Sequence, residues 1–102
     1  MTDNTGPMAI SLRIRGRVQG VWYRGWMVDE ARGRGLGGWV RNRRDGSVEA
    51  LIVGPEQALR EMIASCYHGP RAARVEDIQQ TPIDDSGVGE LDQPGFRQRR
   101  TE

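Results

Sequence analysis

Residues 36–54, LGGWVRNRRDGSVEALIVG, set two β-prone runs on either side of an Asp45-Gly46 pair. An Asp-Gly step in that position signals a hairpin, because the tight turns joining antiparallel strands need positive φ, where glycine has no Cβ penalty. Strands are therefore expected at 37–43 and 47–53. Upstream, Ile10, Leu12 and Ile14 alternate with Ser11, Arg13 and Arg15, the period-two pattern of a half-buried strand, which Gly16 punctuates. Between strand and hairpin, Tyr23, Met27 and Ala31 lie four apart and Val28 extends their apolar side. This spacing predicts a helix over about 24–34, with Gly35 as its stop. Gly25 and Gly33 weaken that helix intrinsically, so it must rely on packing.

Downstream of the hairpin lies the clearest helical pattern in the chain. Gly54 and Pro55 suit the N-cap and first helical position, Leu59, Met62, Ile63 and Cys66 form one stripe, and Gly69-Pro70 ends it. A further strand is expected at about 73–81, with imperfect alternation. Residues 82–94, which include Asp84, Asp85, Glu90 and Asp92, read as a mobile surface loop, and a short last strand follows at about 95–100. The order is βαββαβ with a short additional C-terminal strand. Two helices, each long enough to cover one face of an antiparallel sheet, point to an α+β two-layer sandwich of ferredoxin-like type.

At 102 residues the chain is long enough for one core and too short for two. Residues 1–8 are expected to be a flexible tail and 9–100 the folded domain. The 36% hydrophobic content, with 14 glycines added, reaches the globular range and argues against disorder throughout. No apolar run approaches the roughly 18 residues needed to span a bilayer, and MTDNTGP lacks the regions of a secretory signal, so a soluble cytoplasmic protein is expected. One cysteine, Cys66, and one histidine, His68, leave no internal disulfide and no zinc cluster. Net charge is only +1, yet all 15 basic residues are arginine, and nine of them lie between Arg13 and Arg44 against two acids there, Asp29 and Glu30. That half either concentrates an anionic ligand through its field or carries solvated arginines of compositional origin.

The stretch GRVQGVWYRGW, residues 16–26, joins the first strand to the first helix. Glycines at such a junction let successive backbone N–H groups turn inward around an anion, and the helix start adds its positive dipole end. Arg24, at that helix start, can give two parallel hydrogen bonds to phosphoryl oxygens. The plainer reading is a tight turn with a surface arginine. Asn42 shares strand parity with Gly38 and Val40 just before the turn, in a setting where asparagine is unfavourable. Its amide offers both donor and acceptor and could hold a water; alternatively it begins the turn.

Other candidates are weaker. Cys66 and Arg71 are one position too close for a cysteine phosphatase loop, and Cys66 falls on the apolar stripe, which points to a buried structural thiol. His68 suits a cation near a helix C-terminus. Asp29 and Glu30 are adjacent and diverge by about 100° on a helix, which suits a solvated face rather than paired carboxylates. Trp22, Tyr23 and Trp26 are expected to pack the loop junction; a base-stacking role has no support from an RGFGFV-like strand. The runner-up function, a module gripping nucleic-acid backbone with the arginine-rich half, would show steep salt dependence and no turnover.

The residues GRVQGVWYR at 16–24, GLGGWVRNRRDGSVE at 35–49, GP at 54–55 and 69–70, ARVEDI at 73–78 and GF at 95–96 together resemble the acylphosphatase family over about residues 9–100. The resemblance implies the same ferredoxin-like fold, and hydrolysis of a carboxyl-phosphate mixed anhydride without metal, cofactor or covalent intermediate. It further implies that Arg24 binds the phosphoryl group, that Gly16, Arg17, Val18, Gln19, Gly20 and Val21 form the backbone cradle, and that Asn42 positions the nucleophilic water. The expected partners are a small-molecule acyl phosphate and inorganic phosphate as product, with no nucleic acid, no membrane and a monomeric state. Three positions depart from the family pattern: Tyr23 for the usual phenylalanine, a basic Arg15, and Gln98 at an apolar position, which would leave the last strand poorly anchored.

Overall fold

The computed structural model describes residues 8–83 and 95–102. Its elements are β1 (Met8–Arg17), α1 (Tyr23–Gly33), β2 (Gly37–Asn42), β3 (Val48–Gly54), α2 (Glu56–His68), β4 (Arg74–Ile83) and β5 (Phe96–Gln98). They form one five-stranded sheet in the order β4-β1-β3-β2-β5. The first four strands pair antiparallel, as their patterns imply, and β5 joins β2 in parallel, so the sheet is mixed. The expected tail and the loop at 84–94 lie outside the described residues apart from Met8, which opens β1, while Pro82 and Ile83 extend β4.

Alternation along the strands sends one face into the core. Leu12 and Ile14 of β1, Val40 of β2, Val48, Ala50 and Ile52 of β3, Ile78 of β4 and Phe96 of β5 are buried against Tyr23, Met27 and Ala31 of α1 and Leu59, Met62 and Cys66 of α2. The ferredoxin-like sandwich read from periodicity is the observed fold. On the opposite face the arginines are largely neutralised. Arg41 and Arg43 reach Glu49, Arg13 meets Asp45, and Arg15 bonds Gln79 and lies 4.0 Å from Asp77. Arg15 therefore points away from the β1–α1 loop.

Two boundaries shift for identifiable reasons. β1 continues through Gly16 because a bulge there pairs Gly16 with Val75 of β4. Gly16 has φ 127, and a Cβ on it would press into the backbone of Arg74 and Glu76, so the position excludes side chains. In α2 the N-cap is Pro55, one residue later than expected, since Gly54 is still part of β3. α1 ends as expected: Gly35 at φ 71 donates to Arg32 O, and Leu36 N donates to Ala31 O, a Schellman closure. The hairpin is a three-residue loop in which Arg43 N donates to Ser47 O and Gly46 N to Arg43 O, and only Gly46 needs positive φ. The Ser47 hydroxyl and backbone N–H both donate to Asp45 Oδ1, at 2.6 and 2.9 Å, and hold that carboxyl below the usual aspartate range.

Candidate active site

The register carries Asn42 to the core side of the sheet. Its Cα partner Val48 faces Ile14 of β1, so these three residues form the last core-facing row before the chain leaves β1. The β1–α1 loop starts at that same end. A cavity of about 140 Å³ lies there, lined by Val18, Gln19, Gly20, Trp22, Tyr23, Arg24, Gly25, Asn42 and Gln98. Arg24 and Asn42, eighteen positions apart in the chain, thus share one cavity at the start of α1.

Neither the Asn42 oxygen nor the Arg24 guanidinium meets a partner among the described residues. Asn42 is the last residue of β2 rather than the first of the turn, and its Oδ1 is buried with no hydrogen-bond partner among the described residues. An orphaned buried acceptor costs about 1–3 kcal/mol unless something donates to it. The cavity is polar and far larger than the roughly 10–15 Å³ that one water occupies, so a water can supply that donor. The Arg24 guanidinium, half-buried in the first turn of α1, has no ion-pair or hydrogen-bond partner among the described residues. That turn contains no acid, so the helix dipole and the cation add to one positive field directed at the cavity.

Of the six loop residues expected to form a cradle, Val18, Gln19 and Gly20 line the cavity, while Gly16, Arg17 and Val21 do not. Gly16 and Arg17 are strand residues paired with β4, and Val21 packs against the core. Gln19 has a second task that its sequence context does not reveal. Its Nε2 donates to Arg43 O at 2.7 Å and Ser47 O at 2.8 Å, lacing the loop to the hairpin immediately after Asn42. The two halves of the cavity are thereby held at fixed separation by one amide.

The aromatics divide. Tyr23 is buried and stacks obliquely on Trp26, centroids 5.2 Å apart, as packing at a junction requires. Its hydroxyl donates to Cys66 O at 2.6 Å, so the departure from phenylalanine ties α1 to the last turn of α2 rather than adding a hydroxyl to the loop. Trp22 is not buried at the junction: it is 64% exposed, its indole lies over Gly25 and it lines the cavity. Gln98, expected only to weaken the edge strand, also lines the cavity, and the segment after β5 is anchored by Arg99 N to Val40 O and Glu102 N to Asn42 O. Cys66 is buried and free, as its stripe position implies, and burial pushes its thiol up to about 12. His68 sits in the last turn of α2, and Glu30 pairs with Arg34. Among the described residues no group of three or more His, Cys, Asp or Glu side chains could hold a metal ion. No helix there is long and apolar enough to cross a membrane.

A ferredoxin-like sandwich with a cationic, polar cavity between its first strand and first helix defines the class of protein. The acylphosphatase family model matches residues 10–97. An acylphosphatase of Rhodospirillum rubrum is 57% identical over 88 residues, which are 86% of this chain and 91% of that protein. Among solved structures, an acylphosphatase from Bacillus subtilis superposes with a TM-score of 0.81 at 35% identity, over 90% of this chain and 98% of its own. One from Coxiella burnetii superposes at 0.83 with 28% identity, over 97% and 100%. The chain belongs to the acylphosphatase family and is a hydrolase of that kind.

Proposed function

We propose that this chain hydrolyses small acyl phosphates to a carboxylate and inorganic phosphate, by direct attack of a water held by Asn42 on a phosphoryl group held by Arg24 and loop backbone N–H groups. The observation that carries the reading is a pair of groups in one cavity that have no partner among the described residues: a buried acceptor without a donor and a guanidinium without an anion. A water donating to Asn42 Oδ1 removes the cost of that buried acceptor, and a phosphoryl group gives the Arg24 guanidinium an anion to bind.

The chemistry asks little more of the chain. Phosphoryl transfer needs alignment of nucleophile and leaving group and stabilisation of charge on the equatorial oxygens. Arg24, the amides of the Gln19-Gly20 segment and the α1 dipole supply positive charge from one side. Asn42 Oδ1 accepts a hydrogen bond from the water and orients its lone pair toward phosphorus. As the new P–O bond forms, the bond from phosphorus to the carboxyl oxygen breaks and its electrons leave on the carboxylate. That leaving group is the anion of an acid of pKa about 4, so no protein acid has to protonate it. The proton released by the water passes to a phosphoryl oxygen. Cys66, buried and held as the neutral thiol, takes no part.

Release of inorganic phosphate from benzoyl phosphate by the purified chain, measured with and without a chelator, tests the proposal. Turnover unchanged by chelator is expected. Absence of turnover overturns the activity, and turnover lost on chelation overturns the metal-free mechanism. The runner-up, a nucleic-acid grip, predicts no turnover at all, together with salt-sensitive binding of a generic oligonucleotide.

A further inference from the structure

Trp22 is the least economical residue in the described structure if its task is packing. It is the most exposed of the large hydrophobic side chains there, at 64%, where Met8 and Tyr67 stand at 38% and 48%. It is also the one non-glycine residue among those described with positive φ, at 67°, a left-handed conformation that L residues with bulky side chains rarely adopt. A glycine or asparagine would take that conformation with less strain. Gly25 completes the picture. A Cβ at position 25 would run into Nε1 and Cε2 of the Trp22 indole and come within 2.9 Å of its Cδ1. The first turn of α1 has therefore been left bare on the side where the indole lies, which fixes the ring beside the cavity that both residues line.

Size decides what the ring can meet there. Pockets that swallow a drug-sized ligand measure about 300–1,000 Å³. This one, at about 140 Å³, has room for a phosphoryl group and its water, and the rest of the substrate must emerge at the rim. We propose, on the basis of the acyl phosphate reading above, that Trp22 contacts the acyl group at that rim and makes the site favour flat, aromatic acyl phosphates over small aliphatic ones. Aromatic contacts of this kind are directional and gain from the indole being held in place before substrate arrives.

The test compares kcat/KM for benzoyl phosphate and acetyl phosphate in the wild type, Trp22→Asn, Trp22→Phe and Gly25→Ala, with the Ki of inorganic phosphate measured alongside. Asparagine tolerates the left-handed backbone, so Trp22→Asn removes the ring without adding strain. Gly25→Ala leaves the tryptophan in the sequence but displaces the indole. Both variants are expected to lower the benzoyl-to-acetyl ratio about tenfold, mainly through KM for benzoyl phosphate, with Trp22→Phe retaining most of it. The Ki of phosphate is expected to move less than about twofold, because Arg24, Asn42 and the Gln19-Gly20 segment are unaltered. An unchanged ratio in Trp22→Asn overturns the inference and leaves the acylphosphatase reading standing. A matched fall for both substrates together with weakened phosphate binding assigns Trp22 to loop geometry and overturns it equally. A wild type that turns over neither substrate removes the underlying activity and the inference with it.

Discussion

The two helices of this small sandwich begin in opposite ways. α2 opens by local rules: Pro55 at the N-cap, Glu56 in the first turn where it complements the dipole, and Glu56–Arg60 and Gln57–Glu61 side-chain pairs four residues apart. α1 breaks those rules. Its N-cap is a tryptophan in the left-handed region with no side-chain cap, its first turn carries Arg24 and no acid, and Gly25 lowers its propensity. What holds α1 comes from elsewhere in the chain. Tyr23 bonds the Cys66 carbonyl of α2, and Arg34 reaches Ser65 on the same helix. A helix start tethered by tertiary contacts keeps its own N–H groups and positive field free for an anion, which is the condition a phosphoryl site needs.

Making α1 resemble α2 should therefore trade activity for stability. Arg24→Glu places an acid where α2 has one, and is expected to lower acyl phosphate turnover by at least a hundredfold to a thousandfold, while urea unfolding shows no loss of stability. Asn42→Ala is expected to lose activity on a similar scale with its fold intact, since it removes an unsatisfied acceptor. Wild-type turnover of benzoyl phosphate by Asn42→Ala removes that residue from the mechanism.

Cutting the tether tests the other side of the contrast. Tyr23→Phe strands the Cys66 carbonyl and is expected to cost about 1–1.5 kcal/mol at neutral pH, read from the denaturation midpoint. The same residue shapes the alkaline limit. Burial is the main cause that raises the phenol of Tyr23, with the neighbouring Cys66 adding to it, and burial likewise raises the Cys66 thiol to about 12. Both groups thus stay neutral in the folded chain where the unfolded chain ionises them, near pH 8.5–9 for the thiol and about 10 for the phenol. Stability is unaffected by either group at lower pH and falls as pH rises through that range toward about 12. Each group steepens the fall by about 1.4 kcal/mol per pH unit, so above about pH 10 Tyr23→Phe is expected to lose stability less steeply than the wild type.

The smallest effect concerns propensity alone. Gly33 is helical and has open space where a Cβ would go. Gly33→Ala is expected to stabilise α1 by roughly 0.5–1 kcal/mol, visible as a Tm a few degrees higher, with unchanged kinetics. A gain in stability accompanied by lost turnover would mean that the looseness of α1, and not just the freedom of its first turn, serves catalysis.

Much of this was legible in one dimension. The Asp45-Gly46 hairpin, the stop at Gly35, the stripe of α2 and the alternation of β1 are interactions within a few residues, and local chemistry specifies them. The family motif drew attention to Arg24 and Asn42, and parity put Asn42 beside Val40. The bulge at Gly16 escaped because it answers to the backbone of Arg74 and Glu76, nearly sixty residues away. The parallel pairing of β5 escaped as well, since three residues carry no directional signal of their own.

The amino-acid order by itself determined the element types, their succession and the apolar face of each, because propensity, turn chemistry and periodicity act over a single turn or strand. Only the tertiary structure decided that Gln19 laces the loop to the hairpin, that the Tyr23 hydroxyl serves α2, that Trp22 stays at the rim, and that Asn42 keeps a buried oxygen with no donor among the described residues. Those outcomes depend on which distant groups the strand register brings within a few ångströms, and hydrogen bonds and close packing act only at that range.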